Sequence, residues 1–213
     1  MAESWLPWGK TGDEHLMWRV KMDDDARAFA TLMQRWQKPI HSLCARMTGD
    51  IHRAEDLCQD AFARLFARRK GYEPSGRFST FLWRIALNLC YDELRKLKRR
   101  PELPLVESAE EDGEGGTPSD GLSPDAIVAG EERAAAVRDA LQQLAEPYRV
   151  VAILRHYEGL KFREIADVLD IPEGTVKSRM AEALSQLSRM LAPAWNEREV
   201  LCNETKPRAT LAI

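Results

Sequence analysis

"FREIADVLDIPEGTVKSRMAEAL", Phe162 to Leu184, reads as two amphipathic helices separated by a break too short to be a linker. Phe162, Ile165, Ala166 and Leu169 fall at the i, i+3, i+4, i+7 offsets of one helical face, expected to be buried, while Arg163, Glu164 and Asp167 turn outward. Asp170-Ile171-Pro172 stops this helix. The residue before a proline is pushed out of the α region, and the proline ring fits only the first turn of a new helix. A second helix is therefore expected to restart near Glu173, with the apolar row Val176, Met180, Ala183, Leu184 and Leu187. That row leaves Lys177, Ser178, Arg179, Ala181 and Glu182 on the other side. Two short helices joined by a tight turn, the second presenting its N-terminal half, is the arrangement that lets a helix enter the major groove of DNA. An ordinary helical hairpin has the same apolar pattern, so the rest of the chain has to decide.

The chain has 213 residues, 44% hydrophobic and 31% charged, which suits a soluble globular protein of one large or two small domains. The N-terminus lacks a basic-then-apolar signal pattern and no stretch has the length of a membrane span, so the expected location is the cytoplasm. Cys44, Cys58, Cys90 and Cys202 form no Cys-x-x-Cys pair and read as reduced packing thiols. The net charge of -3 hides a segregation: Pro101 to Gly130 contains Glu102, Glu107, Glu110, Glu111, Asp112, Glu114, Asp120 and Asp125 with no Lys or Arg. The remainder holds 31 basic against 34 - 8 = 26 acidic residues, or +5. Four prolines, five glycines and no aromatic residue make the segment 101–130 a poor core former, so it reads as a disordered acidic tether between two domains.

From Leu16 to about Arg100 the pattern is helical. Phe29, Leu32, Met33, Trp36 and Ile40 recur at helical spacing up to a stop at Gly49, and Ala54, Leu57, Ala61 and Leu65 form the next apolar row, with Glu55, Asp56, Gln59 and Asp60 on its polar face. Beyond a Pro74-Ser75-Gly76 loop, Ser79 suits an N-cap for a helix containing Phe81, Leu82, Ile85, Ala86 and Leu89. Tyr72, Phe78, Phe81 and Trp83, interleaved with Arg77 and Arg84, suit unstacked bases, since rings offer stacking surfaces and guanidinium groups meet phosphates. In the alternative, Phe81 and Leu82 are core and the other aromatics are incidental. Asn88 can hydrogen-bond a base edge or a neighbouring carbonyl. The helix ends in Arg95, Lys96, Lys98, Arg99 and Arg100, more positive charge than a helix C-terminus alone explains.

Together, "AEDLCQDAFARLF", "FSTFLWRIALNLCYDELRK" and "YEGLKFREIADVLDIPEGTVKSRMAEAL" resemble, in order, three motifs of the extracytoplasmic-function class of bacterial RNA polymerase sigma factors. The resemblance implies an all-α chain of two small helical domains, region 2 over 16–100 and a region 4 helix-turn-helix over 131–192, joined by the linker 101–130 and flanked by tails 1–15 and 193–213. It implies a sigma subunit without catalysis, cofactor or metal, whose partners are core RNA polymerase, promoter DNA and an anti-sigma factor. Glu55, Asp56, Gln59 and Asp60 would face the polymerase. Arg77, Phe78, Thr80, Phe81, Trp83, Arg84, Asn88 and Arg95 would meet the -10 element, and Thr175, Lys177, Ser178, Arg179, Ala181 and Glu182 the -35 element. The chain departs from the pattern at Ala181 and Glu182, where members with well-defined -35 contacts often carry an aromatic and an arginine, so the target sequence is not implied. A duplex-binding regulator that works without polymerase is the alternative; it has no need of the aromatic loop from Tyr72 to Asn88. An enzyme lacks support, because His15, His41, His52 and His156 have no metal-ligand spacing and no phosphate-cradling glycine loop is present.

Overall fold

The computed structural model describes residues 12–73, 77–99 and 124–204, with side chains of the last stretch described over 130–192. The described residues are helical throughout, in the order α1 (Asp13–Asp23), α2 (Ala26–Thr48), α3 (Ile51–Ala67), a 3-10 turn (Arg69–Gly71), α4 (Phe78–Arg99), α5 (Pro124–Gln143), α6 (Glu146–His156), α7 (Phe162–Leu169) and α8 (Glu173–Glu204).

Local chemistry sets the breaks. Asp24 at φ 50° ends α1, and the Asp25 carboxylate accepts from the amides of Arg27 at 2.9 Å and Ala28 at 3.0 Å, opening α2. Gly49 at φ 76° takes the left-handed conformation that closes α2, and Asp50 caps α3 through the Arg53 amide at 3.0 Å. Arg53 then joins Asp50 at 2.9 Å to Glu93 at 2.6 Å, tying α3 to α4. The expected cap at Ser79 is displaced. Helix α4 already begins at Phe78, whose amide donates to Glu14 of α1 at 3.1 Å, so a distant carboxylate satisfies the helix start.

Two of the expected boundaries fall inside helices. Helix α5 starts at Pro124, so residues 124–130 of the expected tether are helical; proline is preorganised for a first turn, and alanines follow it. The rest of the expected acidic tether, 101–123, lies outside the described residues, as do Arg100 and Pro74 to Gly76. Helix α8 runs through Pro193 to Glu204, carrying the backbone of the expected C-terminal extension onward as helix. Cys202 sits on that stretch, while Cys44, Cys58 and Cys90 are buried free thiols.

Helices α1 to α4 pack as one bundle, and α5 to α8 as a second group around α8. The groups touch: α5 and α6 lie on α2, and α7 lies on α4. A single apolar cluster runs from Leu32, Ile40, Leu43 and Met47 through Leu82 and Ala86 to Val150, Ile153, Leu154, Ile165 and Val168.

Candidate nucleic-acid interface

The helix-turn-helix forms where the sequence pattern places it. Asp170 at φ 55° ends α7, the Thr175 amide donates to Pro172 O at 2.9 Å, and α8 starts at Glu173. Ile165 and Val176 are fully buried, while Phe162, Ala166 and Leu169 are only half-buried. Val168, absent from the expected row, is buried, and Leu184, expected in the core, is 53% exposed. Ala183, also of the expected row, is fully buried in a second apolar cluster with Leu141, Leu144 and Ala152.

Lys177, Ser178, Ala181 and Glu182 are exposed along the first turns of α8, with Thr175 half-buried. Lys177 Nζ pairs with Glu173 at 2.7 Å, Ser178 Oγ donates to Thr175 O at 3.0 Å, and Gln186 Nε2 donates to Glu182 at 2.7 Å. Gln186, one turn beyond the expected site, thus fixes the Glu182 carboxylate. Its i, i+4 relation to Glu182 was readable in the sequence. Arg179 is half-buried.

The aromatics expected at the -10 site form a packed cluster. Phe78 is fully buried and Trp83 is 3% exposed. Trp36 of α2 stands edge-on to Phe78 at 5.9 Å and to Trp83 at 5.6 Å, and Tyr72 meets Phe81 at 5.5 Å. Phe78 and Trp83 are therefore core here; their rings are closed to a stacked base because α2 brings Trp36 onto them. Trp36 belongs to this cluster, and the sequence marked it only as one member of the apolar row of α2. Its Nε1 donates to Asp13 at 2.9 Å.

Arg84, Asn88 and Arg95 are exposed at helical spacing along α4, with Arg77 exposed just before its first turn and Thr80 half-buried on the same side. Arg77 pairs with Glu164 of α7, and Arg84 donates from Nε to Asp167 O at 3.1 Å and Val168 O at 3.3 Å. At the end of α4, Arg95 pairs with Asp92 at 3.2 Å, Lys96 with Glu93 at 3.3 Å, and Lys98 with Glu146 of α6. Much of that positive run thus has carboxylate partners within the chain. Between the two groups lies a cleft of about 310 Å³, lined on one side by Trp36, Arg77, Thr80 and Trp83 and on the other by Glu158, Leu160 and Glu164. Glu158 is half-buried there with Arg46 Nη1 4.0 Å away, and its partial burial pushes its carboxyl up to about 7. Glu164 moves the other way: the Lys161 amide, and then Arg77, hold its carboxyl below the usual range.

Glu55, Asp56, Gln59 and Asp60 are all exposed on α3. Glu55 and Gln59 line a groove of about 560 Å³ with Gln34, Gln37, Lys38 and His41 of α2. The α2 residues were missed in the sequence because they sit on the polar face of a helix with no motif of its own. Among the described residues no cluster of His, Cys, Asp or Glu is placed to hold a metal, and no helix is long and apolar enough to cross a membrane.

Residues 32–100 match the family described as Sigma-70 region 2, and residues 134–187 match Sigma-70, region 4. The ECF RNA polymerase sigma factor SigW of Bacillus subtilis is 34% identical over 78% of this chain and 90% of its own length. This chain belongs to the extracytoplasmic-function sigma factors. The RNA polymerase sigma-H factor of Pseudomonas aeruginosa is 33% identical to this sigma factor over 87% of the chain and 96% of the relative. The fold of this sigma factor is shared with CnrH, solved with the cytosolic domain of CnrY (TM-score 0.63, 22% identity, 85% of this chain and 97% of that one). It is shared too with RpoE of Bartonella quintana, solved with the anti-sigma factor NepR (TM-score 0.60, 21% identity, 78% and 98%). A sigma factor binds core RNA polymerase and directs it to promoter DNA, so a regulator working without polymerase is set aside.

Proposed function

We propose that this sigma factor divides promoter recognition between its two helical groups, with residues 16–100 binding core polymerase and the -10 element and residues 131–192 reading the -35 element. The segment 101–130 joins them. The observation that carries the division is the line of Arg77, just before α4, and Arg84, Asn88 and Arg95 on it, exposed at one-turn and two-turn spacings. It offers cations to phosphate and an amide to a base edge on one helix face. Arg95 also has Asp92 beside it, so its charge is shared. Thr80 flanks this face, and Phe78, Phe81 and Trp83 support it from below; a flipped base reaches those rings only if the cluster around Trp36 opens. On α8, Lys177 meets the backbone, whereas Ser178, Ala181 and Glu182 meet base edges, with Thr175 at the helix start and the half-buried Arg179 beside them. The Glu182 carboxylate suits a cytosine amine.

Glu55, Asp56, Gln59 and Asp60 form the polymerase-facing patch. The chain brings no catalysis of its own, since phosphodiester chemistry belongs to the polymerase, and it works in the cytoplasm where its partners are. RpoE of Bartonella quintana was solved with an anti-sigma factor, and we assign this chain a partner of the same kind. Pull-down of core polymerase followed by transcription from genomic fragments tests the reading. Transcripts starting downstream of a shared two-part sequence support it, and duplex binding without transcripts overturns it.

A further inference from the structure

We propose that Cys44 of α2 and Cys90 of α4 are a thiol pair that closes to a disulfide under peroxide stress and thereby clamps the -10 site shut. The clamping effect rests on the assignment of α4 to the -10 element; formation of the bond does not. The Cys90 thiol donates to Cys44 with 3.7 Å between the two Sγ atoms, and both residues are fully buried. A disulfide needs about 2.0 Å, so the sulfurs have only to close the gap across which they already touch. A buried thiol on its own packs as a small hydrophobe. Two sulfurs in contact between separate helices carry a chemistry that neither has alone. In a reducing compartment the pair stays as thiols, so the bond is conditional on oxidant.

Cys58 of α3 gives the pair its access. It lines the groove of about 560 Å³ between α2 and α3, its Sγ donates to Gln37 O at 3.6 Å, and at 5% exposure it is the least buried of these three thiols. Burial, and then the neighbouring Cys44, push the Cys58 thiol up to about 11. Cys44 is raised as well, first by its hydrogen bond with Cys90 and then by burial. Since the thiolate is the nucleophile, all of this makes the thiols slow, and sustained oxidant rather than a trace is needed. The Cys58 thiolate attacks one oxygen of hydrogen peroxide; the O–O bond breaks, the sulfur becomes a sulfenic acid, and the leaving hydroxide takes up the thiol proton as water. Cys44 sulfur then displaces the sulfenic hydroxyl, which leaves with the Cys44 proton as a second water while a Cys44–Cys58 bond forms. Cys90 attacks Cys44 in turn, the Cys44–Cys90 bond replaces it, and Cys58 regains a thiol with the Cys90 proton. In sum, two thiols lose two electrons and two protons, and one peroxide becomes two waters.

Trp36 lies about two turns before Cys44 on α2, and Trp83 about two turns before Cys90 on α4. The ring pair, 5.6 Å between centroids, and the thiol pair therefore bridge one seam between the same two helices. A flipped base reaches those rings only if α2 draws back from α4 along this seam. A covalent tie opposes that movement, and if it leaves about one molecule in ten competent, opening of the -10 element slows about tenfold.

The test uses the full chain carrying Cys202→Ser, which removes the remaining thiol, treated with hydrogen peroxide and mapped by peptide mass spectrometry. The expected product is a Cys44–Cys90 disulfide, formed more slowly when Cys58→Ser is added, with circular dichroism checking helicity throughout. After removal of the peroxide, treated and untreated protein are bound to promoter with saturating core polymerase, and thymine reactivity toward permanganate is followed in time. The oxidised chain should open -10 about tenfold more slowly, dithiothreitol should restore it, and a Cys202→Ser/Cys90→Ala chain should not respond to peroxide. Oxidation of single thiols without the disulfide overturns the pair, and an unchanged rate with Cys58→Ser overturns the route through the groove. A disulfide that leaves opening unchanged overturns the clamp. Asn88→Ala then locates the fault: if it lowers -10 reactivity, the -10 assignment stands without the clamp, and if it does not, that assignment falls as well.

Discussion

Lys177 carries its own counter-ion while the protein is free, since Glu173 sits 2.7 Å from its Nζ on the first turn of α8. An exposed i, i+4 pair of this kind is worth only a few tenths of a kcal/mol, so phosphate can take the lysine from it. Lys177→Ala should weaken promoter binding about equally across sequences and lower the salt slope by about one, whereas Glu173→Ala should strengthen it; fluorescence anisotropy against salt reads both. Ser178→Ala, Glu182→Ala and, through the carboxylate it holds, Gln186→Ala should instead change which -35 sequence is preferred in a selection from random duplexes. On α4 the residues separate by burial. Trp83 is 3% exposed against Trp36, so Trp83→Ala should cost about 3 to 5 kcal/mol in denaturant unfolding. Asn88 is exposed, and Asn88→Ala should leave the unfolding midpoint within about 0.5 kcal/mol of the native value.

Helix α3 presents four polar side chains above a fully buried line of Ala54, Ala61 and Leu65, so the proposed polymerase patch has a packed backing. Reversing Glu55 and Asp60 to lysine should weaken core polymerase binding while changing stability by about 0.5 kcal/mol or less per site, measured by native gel shift of core enzyme and by thermal melting. The elements themselves were legible because their breaks are written locally: Gly49 ends α2, and Asp170-Ile171-Pro172 separates α7 from α8. The polar face of α3 and the exposed line of α4 follow from periodicity alone. What periodicity leaves open is which of two apolar-rich faces another helix will cover. Local spacing leaves Phe78 and Trp83 either for bases or incidental, and it is Trp36, more than forty residues earlier in the chain, that draws them into the core. Glu14 replacing Ser79 at the start of α4, and Gln142 filling the space over Gly49, are likewise long-range choices that no local spacing encodes.

At the scale of the whole molecule, the packing of the two groups places Glu158 beside Arg46 in a half-buried setting, and this partial burial raises its carboxyl to about 7. A folded value above the ordinary 4.5 means that the packed form keeps a proton the unfolded chain gives up, so this contribution is complete below about 4.5 and is lost as pH rises toward about 7. The melting temperature should therefore fall between pH 5 and pH 7.5 in the native chain and fall less in Glu158→Gln, which keeps a neutral side chain throughout. In the proposed division the first bundle opens the -10 element while the helix-turn-helix holds the -35 element. Permanganate probing of thymines on a promoter bound by core polymerase and this sigma factor tests it most directly, with Asn88→Ala and Lys177→Ala compared at concentrations that saturate core enzyme. Asn88→Ala should lose thymine reactivity around -10 while keeping protection of -35, and Lys177→Ala should lower occupancy of both together; unchanged -10 reactivity in Asn88→Ala, or loss of -35 protection along with it, would contradict the division.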